Sequence, residues 1–268
     1  MRISWYRSPE AAFYVNSYLI ELEQSVVVVD TQFVLSEGRK LREAVERMGK
    51  PVQAVFLTHP HPDHVNGTGP LLERWPDARI YATEATRSGM VELAEPKRLR
   101  WKPLLGADYP DQVIPPTDVV ADGASVRIED AVFVFRDLGA LESINQTVIE
   151  VPEQDIAFVG DLVYCRVHPW LVEGRSLAWR NALTALRSTL GTRKMLYAGH
   201  GEPSPGSILN DQIDYMDRFF DAVKDADLSV ETQKQSIIET FKTQFPGWPL
   251  EMLVAMNLES VAAELATI

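Results

Sequence analysis

The segment Thr58-His59-Pro60-His61-Pro62-Asp63-His64 follows the apolar run 52–57 and contains three of the chain's five histidines. Imidazole nitrogen and carboxylate oxygen are ligands that zinc, iron and manganese bind in proteins. A proline favours extended backbone in the residue before it, so alternate side chains project to one side. We therefore expect His59 and His61 to point towards one position, and Asp63 and His64 to turn towards a second.

A surface turn is the alternative interpretation, because histidine, aspartate and proline are common in turns. Three histidines and an aspartate at H-x-H-x-D-H spacing, directly after an apolar strand, favour a metal site instead. The segment resembles the signature of the metallo-β-lactamase-fold hydrolases, which bind one or two metal ions there. This resemblance implies an α/β protein built as a four-layer αββα sandwich. The stretches 16–20 and 28–31 resemble the opening of the same superfamily, and Asp30 is then either a support for the metal loop or a turn residue.

Two later residues match further ligands of that superfamily. Asp161 in Phe158-Val159-Gly160-Asp161-Leu162-Val163 matches its bridging aspartate, and two carboxylate oxygens can span two cations. His200 in Ala198-Gly199-His200-Gly201 matches the late histidine that completes the second metal site. The resemblance therefore implies a second site made of Asp63, His64, Asp161 and His200.

The superfamily's G-H-T histidine is missing from this chain. The corresponding stretch is Leu138-Gly139-Ala140-Leu141-Glu142-Ser143, and counting back from Asp161 without gaps places Glu142 at the ligand position. The sequence resembles branches with a G-E-S-like variant, which implies a first site of His59, His61 and Glu142. A carboxylate there makes bound water less acidic and favours harder metals. The alternative is a solvated loop glutamate and a weak or absent first metal.

The expected cofactors are two divalent metal ions, with zinc favoured and manganese or iron compatible. A water held between the cations would lose a proton near neutral pH and act as the nucleophile, and Asp63 would orient it. Tyr164 and His168 closely follow Asp161, so they are candidates for contacting substrate or donating a proton. His168 is alternatively a simple loop histidine. Trp101, Tyr109 and Trp170 are candidates for an apolar lining of the site's mouth, although loop aromatics often only pack.

Composition limits the classes of partner. The 268 residues carry a formal net charge of -12, and no run rich in lysine or arginine occurs. This charge argues against nucleic acid and acidic lipid surfaces, so we expect a small-molecule substrate. We find neither an apolar stretch of about 18 residues nor a signal-type N-terminus, which predicts a cytoplasmic protein. Cys165 is the only cysteine, which excludes an internal disulfide and a thiolate metal cluster.

Hydrophobic periodicity predicts a main domain over 1–206 and a helical C-terminal extension over 207–268. Strands are predicted at 14–20, 26–30, 52–57, 79–82 and 194–198, and helices at 37–48, 70–75, 83–93, 179–190, 208–223, 230–241 and 250–265. The β-rich runs 119–127, 132–135, 147–151 and 156–159 are expected to form the second sheet, with Gly160 and Asp161 ending the last strand. A homodimer through residues 95–118 or the C-terminal helices is a further hypothesis.

Residues 95–118 interrupt this pattern with five prolines and several aromatic residues. Such a segment is expected to contain few regular elements. It is either a lid over the site or a connector that follows the surface.

Three functions fit the sequence. The first is a hydrolase that uses a metal-bound hydroxide on an ester, lactone, amide or thioester of a small molecule; a β-lactamase proper and phosphodiesterase or RNA-processing chemistry fit less well. The second is an iron-dependent oxidoreductase-type member of the same fold. The third is a non-catalytic member whose first metal site has degraded at Glu142.

Overall fold

The computed structural model describes residues 1–267, which form two β-sheets packed face to face with helices on both outer faces. The strands are β1 (Arg2–Arg7), β2 (Asn16–Glu21), β3 (Val26–Val29), β4 (Val52–Phe56), β5 (Arg79–Thr83), β6 (Asp118–Val120), β7 (Ser125–Ile128), β8 (Ala131–Asp137), β9 (Thr147–Val151), β10 (Ile156–Cys165) and β11 (Met195–Gly201). The helices are α1 (Leu35–Glu46), α2 (Pro62–Val65), α3 (Thr68–Arg74), α4 (Glu84–Leu105), α5 (Ser176–Ala185), α6 (Ile208–Lys224), α7 (Glu231–Gln244) and α8 (Met252–Leu265). The predicted four-layer αββα sandwich with C-terminal helices is confirmed.

The first sheet has the strand order β1-β2-β3-β4-β5-β6, and its strands β3 to β6 run parallel. Both faces of this sheet are covered, so its central strands are apolar on both sides. In β3, Val27 and Val29 pack between the sheets, whereas Val26 and Val28 pack beneath α1. The unbroken valine run is therefore explained by burial on two faces.

The second sheet has the order β11-β10-β9-β8-β7, in which only β10 and β11 are parallel. Aromatic rings fill the space between the two sheets. Phe56 of the first sheet lies edge-on to Phe133 and Phe135 of the second, with ring centroids 4.9 and 5.2 Å apart. Such pairs add directional contacts to the burial of apolar area.

Three strand predictions were wrong. Strand β1 was not foreseen, and it pairs along its whole length with β2. Strand β6 lies in the first sheet beside β5 rather than in the second sheet, because the turn at Gly123 separates it from β7. Strand β10 continues past Gly160 to Cys165, because its parallel pairing with β11 resumes after an irregularity at Gly160.

Residues 95–118 were expected to contain few regular elements, and this prediction was wrong for the first half of the segment. Residues 95–105 belong to α4, which contains Pro96 and Pro103. A proline inside a helix removes one backbone hydrogen bond, but tertiary packing can offset that cost. Here Trp101 packs edge-on against Phe33 with centroids 5.2 Å apart. The helix then ends at Gly106, whose φ is 57°.

The fourth layer is formed by α5 and the C-terminal helices against β10 and β11. Trp179 of α5 donates a hydrogen bond to the Leu162 carbonyl, at 2.9 Å. In α8, Asn257 accepts from the Leu171 amide at 2.8 Å, and Glu264 accepts from Ser176. These contacts tie the loop 166–175 to the C-terminal helices. The domain boundary at residue 206 stays a prediction.

His168 lies in the core of this helical layer. Its side chain is buried, and its Nδ1 is 2.9 Å from the hydroxyl of Tyr215. The chain turns away from the strand end at Arg166, which has a φ of 58°. This turn explains why His168 lies outside the cavity beside Asp161, contrary to the predicted contact with substrate. Burial lowers the pKa of His168 to about 4.

None of the helices within residues 1–267 combines the length and apolar character needed to cross a bilayer.

The burial of His168 predicts an acid-dependent loss of stability. Its folded pKa of about 4 lies below the ordinary value of 6.5, so the unfolded chain binds the extra proton between these pH values. Stability is therefore full above pH 6.5 and falls as the pH drops towards 4. Between pH 7 and pH 5, this group should remove about 2 kcal/mol of unfolding free energy. In urea titrations, His168→Gln should lose correspondingly less than the unaltered protein over the same interval, and an equal loss in both would contradict the assignment.

Candidate metal centre

The candidate ligands come from four segments that meet at one edge of the sandwich. His59 and His61 follow the end of β4, Glu142 lies in the loop between β8 and β9, Asp161 lies within β10, and His200 lies near the end of β11. The carboxyl ends of parallel strands share one edge of a sheet, which brings residues distant in sequence together. This edge is where sequence analysis placed the site.

Asp30 fixes the shape of the loop that carries the histidines. Its carboxylate accepts hydrogen bonds from the Thr58 amide at 2.8 Å and from the Thr58 hydroxyl at 2.7 Å. The same carboxylate lies 2.9 Å from His64 Nδ1. Asp30 is buried and has a φ of 56°, an unusual conformation for a residue with a side chain. These contacts fit the interpretation of Asp30 as a support for the metal loop better than the interpretation as a simple turn residue.

Three of the histidine rings use Nδ1 for a contact with the surrounding protein. His59 Nδ1 is 3.0 Å from the Thr58 hydroxyl, and His64 Nδ1 binds Asp30. His200 Nδ1 donates to the Phe13 carbonyl at 2.8 Å. A contact at one ring nitrogen fixes the orientation of the ring, which leaves Nε2 of each ring directed into the centre.

A first group of ligand atoms comes from His59, His61, Glu142 and Asp161, and these atoms all lie within 4.8 Å of one another. His61 Nδ1 is 3.5 Å from Glu142 Oε2. Glu142 is buried, with only 2% of its surface exposed. The solvated-loop interpretation of Glu142 therefore does not fit its position.

A second group contains Asp63, His64, Asp161 and His200, again with ligand atoms within 4.8 Å of one another. Asp161 Oδ1 is 3.2 Å from His64 Nε2, and Asp161 Oδ2 is 3.2 Å from His200 Nε2. Asp63 Oδ2 is 3.4 Å from His200 Nε2. Asp161 belongs to both groups, as a residue bridging two cations would.

Several inward-facing atoms have no hydrogen-bond partner within residues 1–267. These atoms are His59 Nε2, His64 Nε2, Glu142 Oε2 and Asp161 Oδ1. Buried polar atoms are normally paired, since leaving one bare costs free energy. Imidazole nitrogens and carboxylate oxygens that face one another without hydrogen bonds are the donor set that divalent cations bind. The residues present therefore fit one or two metal ions.

The ionisation of these groups is perturbed in opposite directions. Burial lowers the pKa of His59 well below its usual value. Burial is the largest single influence on His64 and His200 and opposes their charge. The neighbouring carboxylates, Asp161 and Asp63, together outweigh burial, which raises the pKa of His64 well above normal and that of His200 to about 9. Burial and repulsion from Asp161 raise the pKa of Glu142 well above its usual value. The raised pKa values of His64, His200 and Glu142 indicate that carboxylates outnumber positive charges at the centre. Bound cations would supply the missing positive charge.

Gly199 is required by the close packing of the two groups. A Cβ atom at this position would overlap the Asp161 carboxylate and lie 2.6 Å from His64 Cε1. Any larger residue would have to displace two candidate ligands. The G-H-G sequence around His200 is therefore explained by space as well as by the histidine.

Tyr164 contacts both carboxylates of the first group. Its hydroxyl donates to Asp161 Oδ2 at 2.7 Å and lies 3.2 Å from Glu142 Oε1. Its ring stacks on the His200 ring with centroids 5.0 Å apart. Burial and the neighbouring carboxylates raise the pKa of the hydroxyl well above its usual value, so it stays protonated.

A cavity of about 540 Å³, including its open mouth, is lined by His61, Asp63, Glu142, Asp161, Tyr164 and His200. Trp101 and Trp170 line it as predicted, whereas Tyr109 and His168 do not. Pro62 of the ligand loop also lines the cavity, and sequence reasoning missed Phe13, Phe33, Lys97, Arg100, Leu250 and Leu253. The second half of α4 thus contributes to the cavity wall. No local motif marks these positions, since they reach the cavity only through tertiary packing.

Curated relatives match only parts of the chain. An uncharacterized protein of Bacillus subtilis, YobT, is 36% identical over 31% of this chain and 38% of its own length. A hydroxyacylglutathione hydrolase of Parasynechococcus marenigrum is 32% identical over 42% of this chain and 36% of its own length. The chain thus spans less than two fifths of the length of these relatives.

Solved structures share the fold over at least 80% of this chain. A β-lactamase domain protein of Burkholderia ambifaria superposes with a TM-score of 0.70 and 18% identity, covering 98% of this chain and 85% of that one. The family model described as the metallo-beta-lactamase superfamily matches residues 11–205. With its two β-sheets, its outer helices and its cluster of histidines and carboxylates, the chain belongs to the metallo-β-lactamase superfamily.

Proposed function

We propose that this protein is a metal-dependent hydrolase that cleaves an ester or thioester of a small molecule. The observation that carries the proposal is the convergence of buried imidazole nitrogens and carboxylate oxygens, several without hydrogen-bond partners, at the floor of a single cavity. The cavity combines apolar walls with a few convergent polar groups, which is the character of small-molecule sites. The hydroxyacylglutathione hydrolase among the relatives supports an acyl substrate.

In the proposed centre, His59, His61 and Glu142 would hold a first metal ion. Asp63, His64 and His200 would hold a second, and Asp161 would bridge them. We favour zinc, and the share of carboxylates also suits manganese or iron. Divalent cations here would acidify a bound water and polarise the carbonyl group of the substrate.

Two residues of the chain would handle protons and charge. Asp63 is the most accessible of the candidate ligands, with 17% of its side chain exposed. Burial opposes its ionisation, but His64 and His200 lower its pKa well below the usual value, so it stays a carboxylate. Asp63 would orient the attacking water by accepting a hydrogen bond from it. Tyr164, which stays protonated, has one O–H donor, now directed at Asp161 Oδ2. With Asp161 bound to cations, this O–H would turn to the oxygen that becomes negative when the carbonyl carbon is attacked.

The apolar walls would complete the site. Trp101, Trp170 and Leu250 face the cavity and would exclude bulk water, which strengthens electrostatic interactions inside. A net charge of -12 argues against nucleic acid as substrate. A homodimer and a cytoplasmic location stay predictions.

An iron-dependent oxidoreductase is the second candidate. Two histidines and one carboxylate, as in His59, His61 and Glu142, form a ligand set that non-haem iron also uses. This candidate and the non-catalytic alternative differ from the hydrolase in the metal that the purified protein contains.

We expect the purified protein to contain about two equivalents of zinc or manganese by elemental analysis. Chelation should abolish hydrolysis of ester and thioester probes, and adding the metal back should restore it, because the cations would polarise the substrate carbonyl and acidify the bound water. Stoichiometric iron together with oxygen-dependent turnover would favour the oxidoreductase instead. A metal-free native protein that no added metal activates would favour the non-catalytic alternative.

Removing the carboxylate of Glu142 should empty one of the two positions. We expect Glu142→Ala to bind about one equivalent fewer than the unaltered protein, because the first group loses its only unshared carboxylate. Glu142→His should restore the second equivalent, since imidazole also binds zinc. Glu153→Ala, in an exposed turn, is the matched control and should leave the metal content unchanged. Equal metal content in Glu142→Ala and the control would rule out Glu142 as a ligand.

Asp30 should act on the metal through His64. We expect Asp30→Asn to weaken metal binding by about 10- to 100-fold, because the variant loses the carboxylate that orients the His64 ring. Competition with a coloured chelator measures this affinity. Asp77→Asn, at an exposed position, is the control. An affinity for Asp30→Asn equal to that of the control would show that Asp30 only shapes the turn.

A further inference from the structure

Two cationic side chains line the cavity, Lys97 and Arg100, and both come from the second half of α4. The Lys97 ammonium is 3.5 Å from the Glu173 carboxylate, so its charge is already partnered. Within residues 1–267, Arg100 has neither an ion pair nor a side-chain hydrogen bond. Its five N–H donors are therefore available to a ligand.

The other cations of α4 are partnered. Arg87 pairs with Glu84, Arg98 with Glu95 and Lys102 with Asp111, at distances of 2.7 to 2.8 Å. Carboxylates three or four residues away along a helix are the usual partners. The corresponding neighbours of Arg100 are Pro96, Lys97, Pro103 and Leu104, none of which is acidic.

Two tryptophans hold the Arg100 guanidinium in place. The guanidinium carbon lies 5.0 Å from the centroid of the Trp101 ring and 5.9 Å from that of Trp170. Trp101 is itself packed against Phe13 and Phe33. Stacking on aromatic faces orients a guanidinium without using its N–H groups. The arginine is thus pre-oriented beside the cavity.

We propose that Arg100 binds a carboxylate at the non-reacting end of the substrate. A guanidinium presents two parallel N–H groups that match the two oxygens of a carboxylate. The tryptophans would pack against the apolar chain that links this carboxylate to the acyl group. This inference rests on the proposed hydrolase function and narrows its substrates to acyl compounds with an anionic tail.

The kinetic test compares two esters with the same acyl chain on the metal-loaded protein. The 4-nitrophenyl ester of glutaric acid carries a free carboxylate, and its methyl-capped counterpart is neutral. We expect Arg100→Ala to raise KM for the anionic ester by about 10- to 100-fold, as loss of a charged hydrogen-bonded contact implies. KM for the neutral ester should change less than about twofold, and Arg100→Lys should recover part of the loss. Arg98→Ala, on the same helix and paired with Glu95, is the control and should affect neither ester.

A binding test separates this inference from the hydrolase proposal. Chelator-treated protein is titrated with 4-phenylbutyrate and with the neutral 4-phenylbutyramide, and quenching of tryptophan fluorescence is followed. Tighter binding of the carboxylate that disappears in Arg100→Ala supports the anion site even if no ester is hydrolysed. Hydrolysis of both esters with equal KM changes in Arg100→Ala, or with the same changes in Arg98→Ala, would overturn the anion site and leave the hydrolase proposal standing. No turnover and no difference in binding between the two ligands would overturn both.

Discussion

The structure depends on one electrostatic constraint, the burial of four imidazoles and three carboxylates around a shared centre. Each of these groups loses hydration on burial, and their mutual contacts do not satisfy all of their polar atoms. The fold maintains the arrangement because Asp30, Thr58 and the Phe13 carbonyl each hold the outer nitrogen of a histidine. Divalent cations would convert this costly arrangement into a stabilising one, so metal binding and the stability of this edge are coupled.

The helical layer contributes to the same centre. Strand β10 carries Asp161 and Tyr164 on a ten-residue span that is buried throughout, with the C-terminal helices packed against it. Asn257 of α8 fixes the loop that brings Trp170 to the cavity. The C-terminal helices thereby do more than cover a sheet, since they hold one wall of the cavity. A lid role for residues 95–118 fits only the helical part of that segment, where Trp101 lines the same cavity.

The loop that carries His59, His61 and His64 could be predicted from sequence because residues close together in the chain determine it. A strand, a short loop and the spacing of His59, His61 and His64 fix the neighbourhood of the ligands before any tertiary contact is known. His168 shows the limit of such reasoning, since one residue with positive φ, Arg166, turns it from the cavity into the helical core. The prolines of α4 show a second limit, because tertiary packing overrode a local preference. Sequence carried no sign that Arg100 would meet Trp170, because that contact joins segments 70 residues apart.

In the proposed site, Glu142 and Arg100 would have complementary electrostatic roles. Two divalent cations at this centre would bring four positive charges. Asp63, Asp161 and Glu142, when ionised, would oppose them with three negative charges, and one net positive charge would remain at the floor of the cavity. A neutral histidine in place of Glu142 would leave two net positive charges. The metal-binding end of the cavity would then attract the anionic end of a substrate more strongly. With the Glu142 carboxylate present, the metal-binding end of the cavity would compete less strongly with Arg100 for the anionic end of the substrate. A pre-oriented arginine at the mouth can then hold the tail, so that the acyl carbon faces Asp63 and Tyr164.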